Sequence, residues 1–285
     1  MDWPVALTEE IAGRRCIFFL GSGVTANCTS SDGTRPPTWL LFLQKLKDTI
    51  PAGTDVTVID HLLAQTKFLD AAEIIRSKIT SADFSRIVRE SFVQPRYVPC
   101  SLHESVLTMD PKIVVTTNYD EVYDTFCRSG TARNGYNVSK YYDHNLVDDL
   151  RSPVRLVVKA HGCVSKPSHI ILTRSEYFNV KQRYASFYAI LDALFLTSTL
   201  LFIGYSLNDP DIQLVLENAN IAAPSSHSHY ALVPDDNHAD IENAAARAYN
   251  IHFLKHPAGD YNFVENALKE LAYEVTQFRI SNPAV

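Results

Sequence analysis

Glycine is scarce in this sequence, with ten in 285 residues, about half the usual ~7%. Each one therefore marks a place where the backbone needs something particular. No apolar run reaches the ~18 residues that cross a bilayer, which argues against a membrane protein. The opening stretch, Met1-Asp2-Trp3-Pro4 through Glu9-Glu10, lacks the basic start and apolar core of a signal peptide, so a cytoplasmic location is expected. The five cysteines are odd in number and contain no C-x-x-C pair. That argues against a disulfide framework and a four-cysteine zinc site, and no metal is expected. Cys16 and Cys127 sit in apolar surroundings and read as small core residues. A basic excess is also missing. The net charge of −6 and pI near 5.9 give no sign of direct nucleic-acid binding.

What is present describes a globular chain, 46% apolar and 20% charged. Four of the ten glycines, Gly21, Gly23, Gly162 and Gly204, follow directly on apolar, strand-like runs. The most informative stretch is Cys16-Ile-Phe-Phe-Leu-Gly-Ser-Gly-Val-Thr-Ala26. A buried strand, Cys16–Leu20, ends in a turn that fits G-x-G-x-x-G/A, with Gly21, Gly23 and Ala26 in the small positions. In this reading Gly21 permits a sharp turn, Gly23 lets backbone approach a pyrophosphate, and Ala26 lets the next helix pack on the strand. A strand-to-helix turn with no ligand fits the same residues.

Apolar runs predict further strands at Lys112–Thr116, Arg155–Ala160, Thr199–Ile203, His229–Val233 and Ile251–Leu254. Between Pro51 and about Met109 only helical periodicity appears, and Thr38 and Ser81 fit as N-caps within the wider helical block. Residues 129–153, with Gly130, Asn134, Gly135 and Asn137, read as an irregular excursion. Helices are predicted over Tyr119–Cys127, Arg174–Thr197, Asp209–Asn218, Asp240–Tyr249 and Tyr261–Phe278. The aromatic residues of 174–197 are expected to pack in the core. Alternating strands and helices imply a Rossmann-like, doubly wound parallel α/β sheet of about six strands, with a smaller helical subdomain inserted. The chain 1–285 reads as a single domain. Its sheet core is drawn from 14–37, 110–128, 154–173 and 198–285, and its helical insertion spans about 38–109.

Ligands of such sheets bind beyond the carboxyl ends of the strands. Four ends carry polar or small groups: Gly21-Ser22-Gly23, Thr117-Asn118-Tyr119-Asp120, His161-Gly162 and Gly204-Tyr205-Ser206. Each has a plainer explanation alone. Asn118 and Asp120 suit the cap of the next helix, and a histidine at a strand end suits a structural hydrogen bond. Their occurrence in one sheet favours a common site.

The ordered set, together with Pro37-Thr38-Trp39 and Tyr205-Ser206-Leu207-Asn208-Asp209-Pro210-Asp211, resembles the sirtuin fold. In particular it resembles the sirtuin-like domains of bacterial antiphage defence, as in Thoeris effectors and in systems paired with a HerA-type translocase or a short Argonaute. The resemblance covers about residues 14–255. It implies NAD+ bound between the sheet and the helical subdomain. Gly21, Ser22, Gly23 and Thr25 would then meet the pyrophosphate, and Gly204 and Ser206 the adenosine side. Asn118 and Asp120 would line the nicotinamide-ribose pocket, and His161 would be the catalytic base. Arg35 is a further candidate for that pocket. Two departures argue against a deacetylase. Thr117 stands where deacetylating sirtuins have glutamine before the pocket asparagine, and their four-cysteine ribbon is missing. An acidic ribose partner is not evident either, since Asp48 lies inside a predicted helix.

The chemistry implied is hydrolysis of NAD+ to nicotinamide and ADP-ribose through an oxocarbenium-like transition state. Asn118 would orient water or ribose hydroxyls, His161 would take the proton, and Asp120 would organise the pocket. An uncontrolled NADase would harm its own cell. Control by assembly is therefore expected, as a homo-oligomer or with a partner such as a HerA-type ATPase or short Argonaute. The alternatives are an NAD- or ADP-ribose-binding scaffold and an NAD-dependent protein deacylase.

Overall fold

The computed structural model describes residues 1–129, 135–207, 209–223, 227–236 and 238–283. Gly130 and Asn134 of the polar excursion, and Asn208, lie outside them. Seven parallel strands form one sheet: β1 Cys16–Leu20, β2 Ile113–Thr116, β3 Tyr136–Lys140, β4 Arg155–Lys159, β5 Thr199–Ile203, β6 His229–Pro234 and β7 Ile251–His256. Their spatial order is β3-β4-β2-β1-β5-β6-β7. Six of these were expected. The seventh, β3, falls inside the stretch read as irregular and pairs along β4 from Tyr136↔Arg155 to Lys140↔Lys159.

β1 is buried along its whole length because helices cover both sheet faces. Its side chains alternate between the two covers. Cys16, Phe18 and Leu20 join the core under helices Val5–Ala12, Ser101–Met109 and Tyr261–Ser281. Ile17 and Phe19 join the other core, under helices Arg174–Arg183, Ala185–Thr197 and Pro210–Ala222. Each fully buried phenylalanine contributes about 2–3 kcal/mol by leaving water. The helical stretch expected over Arg174–Thr197 is broken at Tyr184 into those two helices.

Helices Trp39–Lys47, Thr57–Ala64, Phe68–Lys78 and Ser81–Phe92 enclose a third core of their own. Thr38 caps the first, its hydroxyl accepting from Leu41 N at 3.3 Å. Thr80, not Ser81, caps the last, accepting from Asp83 N at 3.0 Å. This third core also takes in Tyr119, Cys163, Val164, Ile170 and Leu172. These residues belong to the segments that follow β2 and β4. Helix Ser101–Met109 instead packs on the sheet through Leu102, Val106 and Met109.

The chain leaves β1 toward β2, β4 and β3 on one side, then returns to lay β5, β6 and β7 on the other. The winding reverses between β1 and β5, the position at which open parallel sheets bind ligands beyond their carboxyl ends.

Candidate active site

At that reversal the turns after β1 and β5 interlock. Gly21 N–H donates to Ile203 O and Gly23 N–H to Gly204 O, both at 2.9 Å. A Cβ on Gly21 would lie 2.2 Å from Gly204 O, and one on Gly23 would lie 2.8 Å from Gly204 Cα. Gly204 itself has φ of +60°, a conformation that favours glycine. The glycines are thus demanded by two backbones crossing in contact. This reason differs from the pyrophosphate approach expected of Gly23. Ser22 is exposed on the single helical turn Ser22–Thr25, and Ser206 is exposed beyond β5.

β2 is tied to the same turn. Thr116 Oγ1 donates to Leu20 O at 2.8 Å and accepts from Asn118 N at 3.0 Å. Asn118 Nδ2 then donates to both Gly21 O and Thr25 Oγ1, each at 3.0 Å. Both amide hydrogens are spent, so Asn118 presents its Oδ1 as the remaining polar group. Thr25 is buried and acts here as a protein-side acceptor. Asp120 is 7% exposed, and its Oδ1 accepts from Val122 N at 3.0 Å. That contact supports the start of helix Val122–Arg128.

His161 follows β4 and is 5% exposed. Its Nε2 lies 3.3 Å from Asp209 Oδ2, and its Nδ1 lies 3.5 Å from Tyr177 Oη. Tyr177 Oη donates to the same Asp209 oxygen at 2.6 Å. Burial first, then the Asp209 carboxylate, push the Tyr177 phenol well above its ordinary value, so it remains a donor. Asp209 is fixed in turn, because its Oδ1 caps helix Pro210–Ala222 by accepting from Asp211 N and Ile212 N. The imidazole therefore has a carboxylate on one side and a phenol on the other. Leu207, just before this cap, holds φ at +56°, a strained conformation for leucine.

A buried ion pair supports the β2 side. Lys159, the last residue of β4, is fully buried and lies 3.2 Å from Asp124 Oδ2. Its Nζ also donates to Asp120 O. Burial would lower the Lys159 pKa, but Asp124, Cys163 and Asp120 together outweigh it and the net direction is upward. The ammonium thus clamps the segment that carries Asn118 and Asp120.

The structure gathers Gly21, Gly23, Gly204, Thr25 and Asn118 into direct contact, and gives His161 a separate hydrogen-bonded cluster. Arg35 stands in an exposed loop. Its carbonyl accepts from Tyr97 Oη at 3.4 Å. Among the described residues no hydrogen bond or ion pair ties its guanidinium to the strand ends. Asp209 and Tyr177 were not picked out as site residues from the sequence. For Asp209 a signal was there, since Asp-Pro is a strong helix start. A cavity of about 300 Å³ lined by Glu10, Arg15, Thr199 and His229 lies at the opposite, amino ends of the strands, so it is not this site.

A parallel sheet with its polar cluster at the winding reversal defines a Rossmann-like, doubly wound class of α/β domain. The family described as "SIR2-like domain" matches residues 112–254, half of the chain, and the chain belongs to that family. It is 26% identical over 216 residues to "Defense-associated sirtuin 2" of Bacillus subtilis, covering 74% of this chain and 20% of that protein. It is 27% identical over 247 residues to "NAD(+) hydrolase ThsA" of Acinetobacter baumannii, covering 86% of this chain and 48% of that one. The Bacillus cereus protein of the same name is 27% identical over 244 residues, with 82% and 48% covered. The chain therefore spans about half the length, or less, of these relatives. No helix among the described residues is long and apolar enough to cross a membrane.

Proposed function

We propose that this domain hydrolyses NAD+ at the bond between nicotinamide and ribose, as an NAD-depleting effector of antiphage defence. The observation that carries this reading is the fastening of the Asn118 amide to the glycine turn at 3.0 Å. It joins the ends of β1 and β2 at the crevice where this sheet class binds dinucleotides. The names of the relatives, NAD(+) hydrolase and defense-associated sirtuin, support it.

Nicotinamide leaves as a neutral molecule from a cationic ring. The reaction needs a held ribose, a polar wall near the developing positive charge and a positioned water. With Gly21, Gly23 and Thr25 engaged within the protein, exposed Ser22 is left to meet the pyrophosphate, and exposed Ser206 beside Gly204 to meet the adenosine side. With both N–H groups occupied, Asn118 Oδ1 accepts from a ribose hydroxyl or from the attacking water. Water adds to the ribose C1′ as the bond to nicotinamide breaks, and its proton passes to His161. Asp209 holds the imidazole for that transfer. His161 is 5% exposed, so the ribose reaches it only when the side chains above it move aside.

Such an enzyme acts on the cytoplasmic NAD+ pool and is held in check by assembly. The controlling state is a homo-oligomer or a complex with a partner such as a HerA-type ATPase or short Argonaute. To test the reading, the purified chain is incubated with NAD+ across a range of concentrations, and nicotinamide and ADP-ribose are separated by chromatography. Wild type should release both, and His161→Ala should be slower by about 10²-fold or more. Equal release by wild type and His161→Ala would reject the assignment. Recovery of intact NAD+ from every assembly state would leave a binding domain only.

A further inference from the structure

No two of the five cysteines are near one another in sequence, yet the fold brings Cys28 and Cys100 together. Thr29 and Val98 form an isolated antiparallel bridge, with Val98 N–H donating to Thr29 O at 2.9 Å. Cys28 precedes the first of these residues and Cys100 follows shortly after the second. The bridge lays the two cysteine-bearing segments side by side. The two Sγ atoms and His103 Nδ1 all lie within 4.8 Å of one another. His103 Nδ1 is 3.6 Å from Cys28 Sγ and 3.4 Å from Cys100 Sγ.

The environments of the two sulfurs differ. Cys28 and His103 are each 1% exposed, while Cys100 is partly exposed. Tyr97 and Asp120 are further titratable groups near the pair. The hydrogen bond with Cys28, and after it His103, hold the Cys100 thiol well below its ordinary value against the effect of burial. The same contact and then burial push Cys28 up. Burial also pushes Cys127 up to about 12 and raises Cys16 and Cys163. One partly exposed sulfur beside one buried sulfur is the arrangement of an attacking and a resolving cysteine.

We propose that Cys28 and Cys100 form a dithiol that peroxide oxidises to a reversible disulfide. The Cys100 thiolate attacks the O–O bond of hydrogen peroxide, forming an S–O bond and expelling hydroxide. Cys28 sulfur then attacks the Cys100 sulfur, forming the S–S bond. The hydroxyl leaves with the Cys28 proton as water. Two thiols and one peroxide thus give one disulfide and two waters, with the sulfur pair losing the two electrons that peroxide gains. The bond would tether the segment after the glycine turn to the start of helix Ser101–Met109. Cys100 Sγ already lies 3.6 Å from Val24 O in that turn. The site stands independently of the NAD+ reading.

The test uses the full chain, reduced, freed of reductant and treated with hydrogen peroxide. The product is denatured, alkylated with iodoacetamide and mapped by peptide mass spectrometry. The expected product is a linked pair of peptides carrying Cys28 and Cys100, released by dithiothreitol, with Cys16, Cys127 and Cys163 alkylated. In Cys28→Ser the oxidation stops at a Cys100 sulfenic acid that dimedone traps. On the native protein at pH 7, Cys100 should label about tenfold faster than Cys163. Its labelling rate should stay nearly level from about pH 6 to 8, where an ordinary thiol gains about tenfold per unit. Full alkylation of Cys28 and Cys100 after peroxide, or a disulfide formed elsewhere, overturns the proposal. So does a copurifying zinc ion that shields both thiols, since the cluster would then be a metal site.

Discussion

Replacing Gly21 by alanine tests the interlocked turns most directly. The added Cβ would stand 2.2 Å from Gly204 O and 2.7 Å from Tyr205 Cα. Both neighbours are backbone atoms, so no side-chain rotation relieves the contact. Carbon atoms pack at about 3.5–4.0 Å, so the two turns must separate by about 1 Å. Overpacking of this kind costs about 1–3 kcal/mol, or roughly 3–10 °C in melting temperature for a domain near this size. The catalytic cost is larger. Asn118 is hydrogen-bonded to Gly21 O, and a displacement of about 1 Å at reacting groups is worth about 10²-fold in rate. Gly53→Ala is the control. Gly53 has φ of +87° but no atom within 4 Å of its Cβ position. It should cost about 1–2 kcal/mol from backbone conformation alone and leave nicotinamide release unchanged. Melting is followed by circular dichroism and turnover by chromatography of NAD+ products. Wild-type melting and turnover in Gly21→Ala would refute the reasoning.

Three further outcomes follow from the same geometry. Asp209→Asn keeps a cap acceptor but removes the charge beside His161 and Tyr177, so turnover should fall by about 10²-fold with KM little changed; an unaltered rate would remove Asp209 from the site. Lys159→Met should destabilise by about 3–5 kcal/mol in urea titrations because it leaves Asp124 buried without its cation, and adding Asp124→Leu should restore most of that loss. Burial lowers the pKa of His229 to about 4. The unfolded chain therefore takes up this proton near pH 6.5, before the fold does. The stabilising contribution is present above that pH and is lost as pH falls toward 4. Urea titrations should show this residue costing about 2 kcal/mol between pH 7 and pH 5, a slope that His229→Gln should remove.

The central strands were legible because each is an apolar run buried on both faces, ending at small or polar residues. β3 was not, and the reason is physical. Asn137 and Ser139 gave it a polar, loop-like composition, but in the fold both side chains bond to the Asp149 carboxylate. Asp149 lies on helix Leu146–Arg151, so the polarity that suggested exposure is satisfied inside. The strand-end residues Asn118 and His161 could be found from position alone. Thr25 was named for a different role, and its contact with Asn118, like those of Asp209 and Tyr177 with His161, arises only through folding. Lys159 was read within a strand with no role, since nothing local in the sequence points to Asp124 beneath it. The glycines were located correctly as landmarks, while the backbone crossing that requires them is a tertiary contact.

The placement of β1 has a consequence for how the chain is made. Its backbone bonds on one flank wait for β5, which is synthesised about 180 residues later. At ~5–20 residues per second, that apolar ribbon has one unpaired edge for roughly ten seconds or more. The crossing of Gly21 with Gly204 cannot form until then. A nascent chain should consequently lack its interlocked strand-end turns until β5 has emerged.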